Sequence, residues 1–438
     1  MESNNSNINS KNILVVDWSN LMFRSLFMHK LFGGVASGSY DRPEDLLSFT
    51  NKFAVDVCAI VNMFRPNRVI IATDSQHAWR KDVDNNYKSG REKDPSVNWE
   101  NIYKCSDDLL AILAKNGMDV AQVDRAEADD IVALVKETVF RKHPEFNIIV
   151  VSADADIRQL IDFNKETKQY CVVYNTTGRG KNSKRRMYVT QDFKDWIDSP
   201  DNCDIFFGNI DIPKSHINEI LKKNSIIEVF VDDPNQVVLN KILCGDDGDN
   251  VPSFYGYYKN GRWVRITPSK AEKILQMSNS QNVKQLCESV NMFPSIFEKV
   301  CKKVIDDLDY KETLYKQRVL VELNSDLFPE HIREYADTID YMIRNGNNSI
   351  FTDLNAQELL VGSEYQGANQ KRAIEADVFK DINKMIKKRA ELRGDTLVDE
   401  VVPPHNPVAP VATTPVQKQQ KKENKVETDV LFEINTLF

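Results

Sequence analysis

Three apolar, β-branched runs each end on an aspartate. Ile13-Leu14-Val15-Val16 runs into Asp17, Val69-Ile70-Ile71-Ala72-Thr73 into Asp74, and Ile148-Ile149-Val150-Val151 through Ser152 and Ala153 into Asp154 and Asp156. Two further acidic groups join them: Glu127-Ala128-Asp129-Asp130, ahead of the apolar run from Ile131, and Gly245-Asp246-Asp247-Gly248-Asp249-Asn250. Carboxylates crowded into a half-buried site raise one another's pKa, so a set this dense needs cations to remain ionised. Oxygen ligands suit hard divalent ions such as magnesium and manganese. Two such ions, roughly 3.5 to 4 Å apart, can activate a water and stabilise the leaving oxygen of an in-line phosphoryl displacement. The six histidines all fall outside these groups, which disfavours a zinc hydrolase. The lack of a Gly-x-x-x-x-Gly-Lys-Ser/Thr loop disfavours an ATPase or kinase of the P-loop kind.

Each acid also has a plainer use. A lone Asp closing a strand is more often a turn residue or a helix N-cap than a ligand. Acids ahead of Ile131 suit the dipole of the helix they open, and Asp156 would cap a helix beginning near Ile157. Five acidic groups in order, each at a strand end or a helix start, are hard to explain as five unrelated caps.

The elements that must position these acids follow from the hydrophobic pattern. From Asn12 to about Asn240, short β-branched runs alternate with helical stretches. That predicts an α/β fold, a mostly parallel twisted sheet with helices on both faces and functional groups at the carboxyl ends of its strands. At 438 residues and 41% apolar side chains, the chain can bury a large core and holds more than one domain. A net charge of -8 would oppose nucleic acid if spread evenly, but basic residues fall in runs whose local field is what a phosphate backbone meets. Seven cysteines, scattered singly without a Cys-x-x-Cys pair, predict a reduced, intracellular, cytoplasmic protein without structural zinc. The polar, Asn- and Ser-rich start has no apolar signal core, and no bilayer-length apolar run follows, so the protein is expected to be soluble and not exported.

Domain limits follow composition. In the core, residues 11–240, the segment 75–99 reads as too polar to pack and too long for an ordinary connection. The basic stretch Arg179 to Arg186 reads as a hairpin tip between Tyr170–Tyr174 and Met187–Thr190. Residues 193–233 carry no functional reading. Over residues 241–340 strands are expected to stop and amphipathic helices to take over. Residues 341–395 are expected to form a helical extension in which Ile374, Val378, Ile382 and Ile386 make one stripe, suited first to packing on the body, with DNA contact through its excess of basic residues as the alternative. Residues 396–428 are a Pro-, Gln- and Lys-rich disordered linker, and 429–438 an apolar peptide.

Taken together, Asp17, Thr73-Asp74, Glu127-Ala128-Asp129-Asp130, Ser152-Ala153-Asp154-Ala155-Asp156 and Gly245 to Pro252 resemble the structure-specific 5′ nucleases. That superfamily contains the flap endonucleases and the 5′-to-3′ exonuclease domains of bacterial polymerases; the sequence is most similar to its ribonuclease H branch from T-even-type phages. Ala78-Trp79-Arg80-Lys81, Tyr87-Lys88, Ile242-Leu243 and Arg265 to Ser269 share in the resemblance, which covers about Lys11 to Asp340. It implies a PIN-like core with a first metal site at Asp17, Asp74, Glu127, Asp129 and Asp154, and a second at Asp156, Asp246 and Asp249. These would hold two Mg2+, with Mn2+ able to substitute, and no nucleotide or organic cofactor. Asp130 is left to orient the site, and Asp247 stands where many relatives have a non-acidic residue. The segment 75–99 would be a helical arch or gateway, carried by Arg80, Lys81, Tyr87, Lys88 and Arg91, whose basic and aromatic side chains suit a single strand held by phosphate attraction and base stacking. For any single residue an exposed charged helix laced with Asp82 and Asp84 fits equally well, but not for the segment as a whole. Gly245 to about Leu275 resembles the family's duplex-gripping helix-hairpin region, but the aromatic loop Ser253 to Trp263 replaces the compact Gly-x-Gly-x-Lys hairpin and leaves a bound potassium ion open.

The implied function is a magnesium-dependent 5′-to-3′ exonuclease and 5′ flap endonuclease, a monomer removing RNA primers and flaps from DNA and RNA–DNA duplexes in lagging-strand replication. A PIN-type single-strand ribonuclease would share the strand-end acids but is shorter and lacks the Gly-Asp-x-x-Asp-Asn region. A non-catalytic DNA-structure binder would be favoured by loss of acids, and all are present. The terminal cluster Leu431, Phe432, Ile434, Leu437 and Phe438 is expected to dock on a replication partner, a sliding clamp first and a single-strand-binding protein second. Folding back on its own chain is the alternative.

Overall fold

The computed structural model describes residues 11–31, 39–176, 185–199, 202, 227–259, 262–302, 308–346, 351 and 354–361. The chain divides into two compact units, residues 1–365 and 366–438, and every described residue lies in the first. The stripe from Ile374 to Ile386, the linker, and the peptide with Leu431, Phe432, Ile434, Leu437 and Phe438 lie outside the described residues, as does the basic tip 177–184.

The strands are β1 (Lys11–Asp17), β2 (Arg68–Ala72), β3 (Asp119–Ala121), β4 (Phe146–Val151), β5 (Asp162–Phe163), β6 (Tyr170–Asn175), β7 (Arg185–Val189), β8 (Ile227–Val231), β9 (Gly256–Lys259) and β10 (Arg262–Arg265). The helices are α1 (Trp18–Leu31), α2 (Pro43–Phe64), α3 (Trp99–Lys115), α4 (Ala128–Lys142), α5 (Gln191–Ile197), α6 (Pro234–Cys244), α7 (Pro268–Ser278), α8 (Val283–Glu288), α9 (Phe293–Cys301), α10 (Tyr310–Val321), α11 (Glu330–Asn345) and α12 (Ala356–Val361).

One sheet runs in the order β3-β2-β1-β4-β6-β7-β8, with the short β5 beside β6. Neighbours from β3 through β6 are parallel, as are β7 and β8, while β6 pairs antiparallel with β5 and β7. The mostly parallel sheet read from the sequence is therefore present. The middle positions of its central strands, Ile13–Val16, Val69–Ala72 and Ile148–Val151, are all apolar because both faces are covered. The pleat sorts them: Leu14, Val16, Ile71 and Val151 share a core with α1, α2 and α3, whereas Ile13, Val15, Ile70 and Val150 share one with α4 and α11. Although α2, with 22 residues, is long and apolar enough to cross a bilayer, its Phe49, Phe53, Val61 and Phe64 are buried in the first of these cores.

From β1 the chain proceeds to β2 and β3 on one side, and later to β4 and β6 on the other, so the order reverses between β1 and β4. A crevice opens at the carboxyl ends of strands at such a point. Asp17 lies there, in register with Ala72, and Val16 is opposite Val151.

A third core, around Leu239, Leu243, Phe254, Ile274, Phe297 and Leu320, joins α6 through α10. Several expectations change. Strands do not stop at Lys241, because β9 and β10 pair as an antiparallel hairpin within the aromatic loop. Of that loop's aromatics, Phe254 and Tyr255 are buried, while Tyr258 is 73% exposed. Helix α11 leaves this region to place Ile332, Ile339 and Ile343 in the core under α4, and the Arg68 guanidinium donates to the Ile343 carbonyl at 3.2 and 3.3 Å. The helical region thus closes near Val321 rather than Asp340. Within 193–233, Phe193 is fully buried against Tyr170 and Phe163, and β8 borders the sheet. Residues 75–98 also pack despite their polarity: Trp79 enters the α4 core, and Ala78 and Tyr87 enter the third core.

Candidate active site

Capping and clustering turn out to be the same contacts. The Asp17 carboxylate accepts from the Asn20 N–H at the start of α1 (3.2 Å) and from the Ser152 hydroxyl beyond β4 (2.8 Å). Asp74, beyond β2, accepts the N–H of Ala128 at the start of α4 (2.8 Å). Glu127 caps that helix in a reciprocal box with Asp130, whose Oδ2 accepts the Glu127 N–H at 3.0 Å. Asp154 accepts the Asp156 N–H at 2.8 Å. All but the Ser152 bond fix a carboxylate against backbone, and together they hold the acids in the crowd.

The crowd is electrostatically visible. Burial, then the charge of Asp74, pushes Asp17 up to about 7, even though Ser152 and the Asn20 backbone oppose it. Burial with the charges of Asp154 and Asp17 drives Asp129 well above the usual carboxylate range. Burial and Asp154 likewise push Asp156 up to about 7. Asp154 acts on all of them, so the two sets read from the sequence form one continuous acidic surface.

Asp156, Asp246 and Asp249 bring carboxylate oxygens within 4.8 Å of one another. The turn that carries the last two is closed by reciprocal backbone bonds between Asp246 and Val251 (2.9 and 2.8 Å). It begins at Gly245 with φ +75°, where a Cβ would stand 2.4 Å from the Val251 carbonyl oxygen, so glycine is required. Lys241 on α6 ion-pairs with Asp156 at 2.5 Å and also with Asp246. Burial alone would raise Asp246, but Lys241 holds it below its ordinary value. Asp247 points elsewhere: it is exposed and paired with Arg265. An all-oxygen donor set, with acids held protonation-prone for want of positive charge, fits hard divalent ions.

The gateway residues divide. Arg80 is 2% exposed, with its guanidinium 2.9 Å from Glu127 and 2.7 Å from Asp130 and its Nε donating to the Val319 carbonyl (3.2 Å). The expectation that it grips a strand is corrected, since a guanidinium buried between two carboxylates and a carbonyl is out of a strand's reach. Tyr87 is likewise buried, its hydroxyl donating to Glu127 at 3.0 Å. Lys88 reaches Glu127 at 2.5 Å and Asp249 at 3.6 Å, and Arg91 pairs with Asp249. Burial would raise Glu127, but Lys88 and Arg80 together carry it down to about 2. Lys81 remains exposed. Sequence reasoning missed Lys241, which stands on α6 one helical turn ahead of the acidic turn.

Against known proteins, the family model described as "5'-3' exonuclease, N-terminal resolvase-like domain" matches residues 12–194, from the start of β1 into α5. Over those residues the chain is similar to the 5'-3' exonuclease family. The match takes in Asp17, Asp74, Glu127, Asp129, Asp154 and Asp156 and ends before Asp246 and Asp249. A 5'-3' exonuclease of Mycoplasmopsis pulmonis is 24% identical over 277 residues, covering 63% of this chain and 72% of that protein. DNA polymerase I of Lactococcus lactis subsp. lactis is 26% identical over 160 residues, 36% of this chain but only 17% of the polymerase. Among solved structures, the D15 protein of phage T5 co-crystallised with metal ions aligns at 17% identity over 76% of this chain and 99% of that one, with a TM-score of 0.47. The T5 D15 flap endonuclease in a pseudo-enzyme-product complex with DNA and metal ions gives the same identity and TM-score over 76% and 100%.

Proposed function

We propose that this protein is a magnesium-dependent 5′ nuclease that hydrolyses phosphodiester bonds near 5′ ends, removing primers and flaps during replication. The observation that carries the reading is the joining of all eight strand-end, helix-start and turn acids into one continuous acidic surface, from buried Asp17 and Glu127 to exposed Asp74, in a chain whose residues 12–194 match the 5'-3' exonuclease family model. Asp17, Asp74, Glu127, Asp129 and Asp154 would hold one divalent ion, and Asp156, Asp246 and Asp249 a second. When bound, such ions supply charge stabilisation for in-line displacement at phosphorus. The residues do the rest. Ser152 and Asn20 orient Asp17, and the capping box fixes Glu127. Lys88 and Arg91, paired with Glu127 and Asp249, would meet a scissile phosphate approaching the acids. Exposed Lys81 and Arg265 offer charge to a duplex backbone. The M. pulmonis exonuclease and the polymerase relatives support replication as the setting. The terminal peptide would tether the enzyme to a sliding clamp.

The test is cleavage of 5′-labelled flap, nicked RNA–DNA and single-stranded substrates with and without magnesium. Asp129→Asn should lose cleavage while keeping flap-DNA affinity, because the acid serves ions more than binding. Calcium should permit binding with little cutting, since its looser coordination places the attacking water poorly. Wild-type turnover by Asp129→Asn would sink the assignment.

A further inference from the structure

The acidic turn and the returning leg of the gateway segment are joined by contacts that the metal site itself does not need. The Lys88 N–H donates to the Asp249 carbonyl at 2.8 Å, and the Asn250 side-chain amide donates to the Ser89 hydroxyl at 2.8 Å. Gly90 lies so close that a Cβ there would stand 3.0 Å from Asn250 Oδ1. Lys88 and Asn250 both have left-handed backbone, φ 54° and 56°. Asn tolerates that region; a long side chain such as Lys adopts it where surrounding contacts hold it. The junction decides where the flanking cations go. Lys88 comes to lie on Glu127 and Asp249, and Arg91 on Asp249. Ser89 and Asn250 turn their polar groups to each other instead.

We propose that Ser89, Gly90 and Asn250 form a latch holding the gateway's returning leg on the acidic turn, and that this latch positions Lys88 and Arg91 over the site. Its catalytic consequence rests on the nuclease reading above; its existence does not. Ser89 and Asn250 are positioning residues, acting through Lys88 and Arg91. Gly90 is the residue whose missing side chain lets the two surfaces meet.

The decisive measurement is limited trypsin digestion of the full-length, ion-free protein, following cleavage after Lys88, Arg91 and Lys93 by mass spectrometry. Proteolysis of a transiently opened segment tracks the population of the open form. Ser89→Ala, and Asn250→Gly, which preserves the left-handed backbone, should each raise that rate about two- to ten-fold, the effect of one ordinary hydrogen bond. The double variant should be no faster than either single. Gly90→Ala should match them by pushing the Asn250 amide aside, and Ser89→Thr, which keeps the hydroxyl, should stay near wild type. In flap cleavage, Ser89→Ala and Asn250→Gly should lower kcat with KM held. Tryptic rates equal to wild type in both singles, or an additive double, would overturn the latch. A loss confined to KM would overturn the positioning role. A wild type inactive on every 5′-ended substrate would sink the nuclease reading while leaving the tryptic result to judge the latch.

Discussion

Arg80 shows how completely neighbours decide what a basic residue does. Its sequence context, Trp79-Arg80-Lys81, is that of a phosphate-binding segment, yet the guanidinium is enclosed between Glu127, Asp130 and the Val319 carbonyl. Removing one partner from a buried ion pair strands the remaining charges and costs about 3 to 5 kcal/mol. Arg80→Ala should therefore lose that much stability in chemical denaturation, while Lys81→Ala, on an exposed side chain, should stay within about 0.5 kcal/mol of wild type. If the two variants unfold alike, Arg80 is not the centre of the network. Lys241 invites the complementary experiment, because it neutralises Asp156 and Asp246 much as a bound ion would. With Lys241→Met, the ion-free protein should melt lower and calcium should bind about ten-fold tighter or more, since a competing cation a few ångströms from the ligands is gone. Weaker calcium binding, read by titration calorimetry, would show instead that Lys241 organises the acids for the ion.

At the scale of elements, the gateway separates what a sequence reveals from what it hides. Residues 75–98 read as unpackable by average polarity, yet widely spaced anchors suffice: Trp79 reaches the α4 core, and Ala78 and Tyr87 the third core. Lys316 on α10 adds an ion pair to Asp84 at 2.9 Å. The acids were legible because Asp17, Asp74, Asp154 and Asp156 close strands whose unbroken apolar runs mark a sheet covered on both faces, and because the Glu127 group opens a helix. Lys241 was not, since a lysine on an amphipathic helix carries no local sign of what it will meet across the fold. The β9–β10 hairpin was hidden for a similar reason: its aromatics read as loop or packing until pairing partners are known. For the gateway itself, Arg91→Ala should leave global stability nearly unchanged and slow cleavage of substrates with a 5′ single strand. Its salt dependence of binding should become shallower by about one phosphate contact. An unchanged salt slope with full activity would confine Arg91 to its pairing with Asp249.

Across the whole compact unit, the sheet cores supply the stability that lets so many like charges share one crevice, and the cost of that crowding depends on pH. Asp17 and Asp156 are pushed up to about 7 from an ordinary 3.8. A carboxyl raised in the folded state binds protons there that the unfolded chain has already released. Ion-free stability should consequently fall as pH rises through the window from about 4 to about 7. Glu127, carried down to about 2 from 4.5, has the opposite sign: its contribution is present above about pH 4.5 and is lost only as pH falls toward 2. It leaves the window between to the raised acids. Under the proposed function, divalent ions would compete with those protons for the same oxygens, and an ion that binds only the folded state stabilises it by mass action. The rise in melting temperature on adding magnesium should be small near about pH 5 and grow toward about pH 8, where Asp17 and Asp156 are unprotonated ligands. Calorimetric scans in chelator and in magnesium across that range would show it. An ion-induced shift of equal size at both ends would mean that the acids do not hold protons in the ion-free site and that their crowding is relieved by Lys88, Arg91 and Lys241 alone.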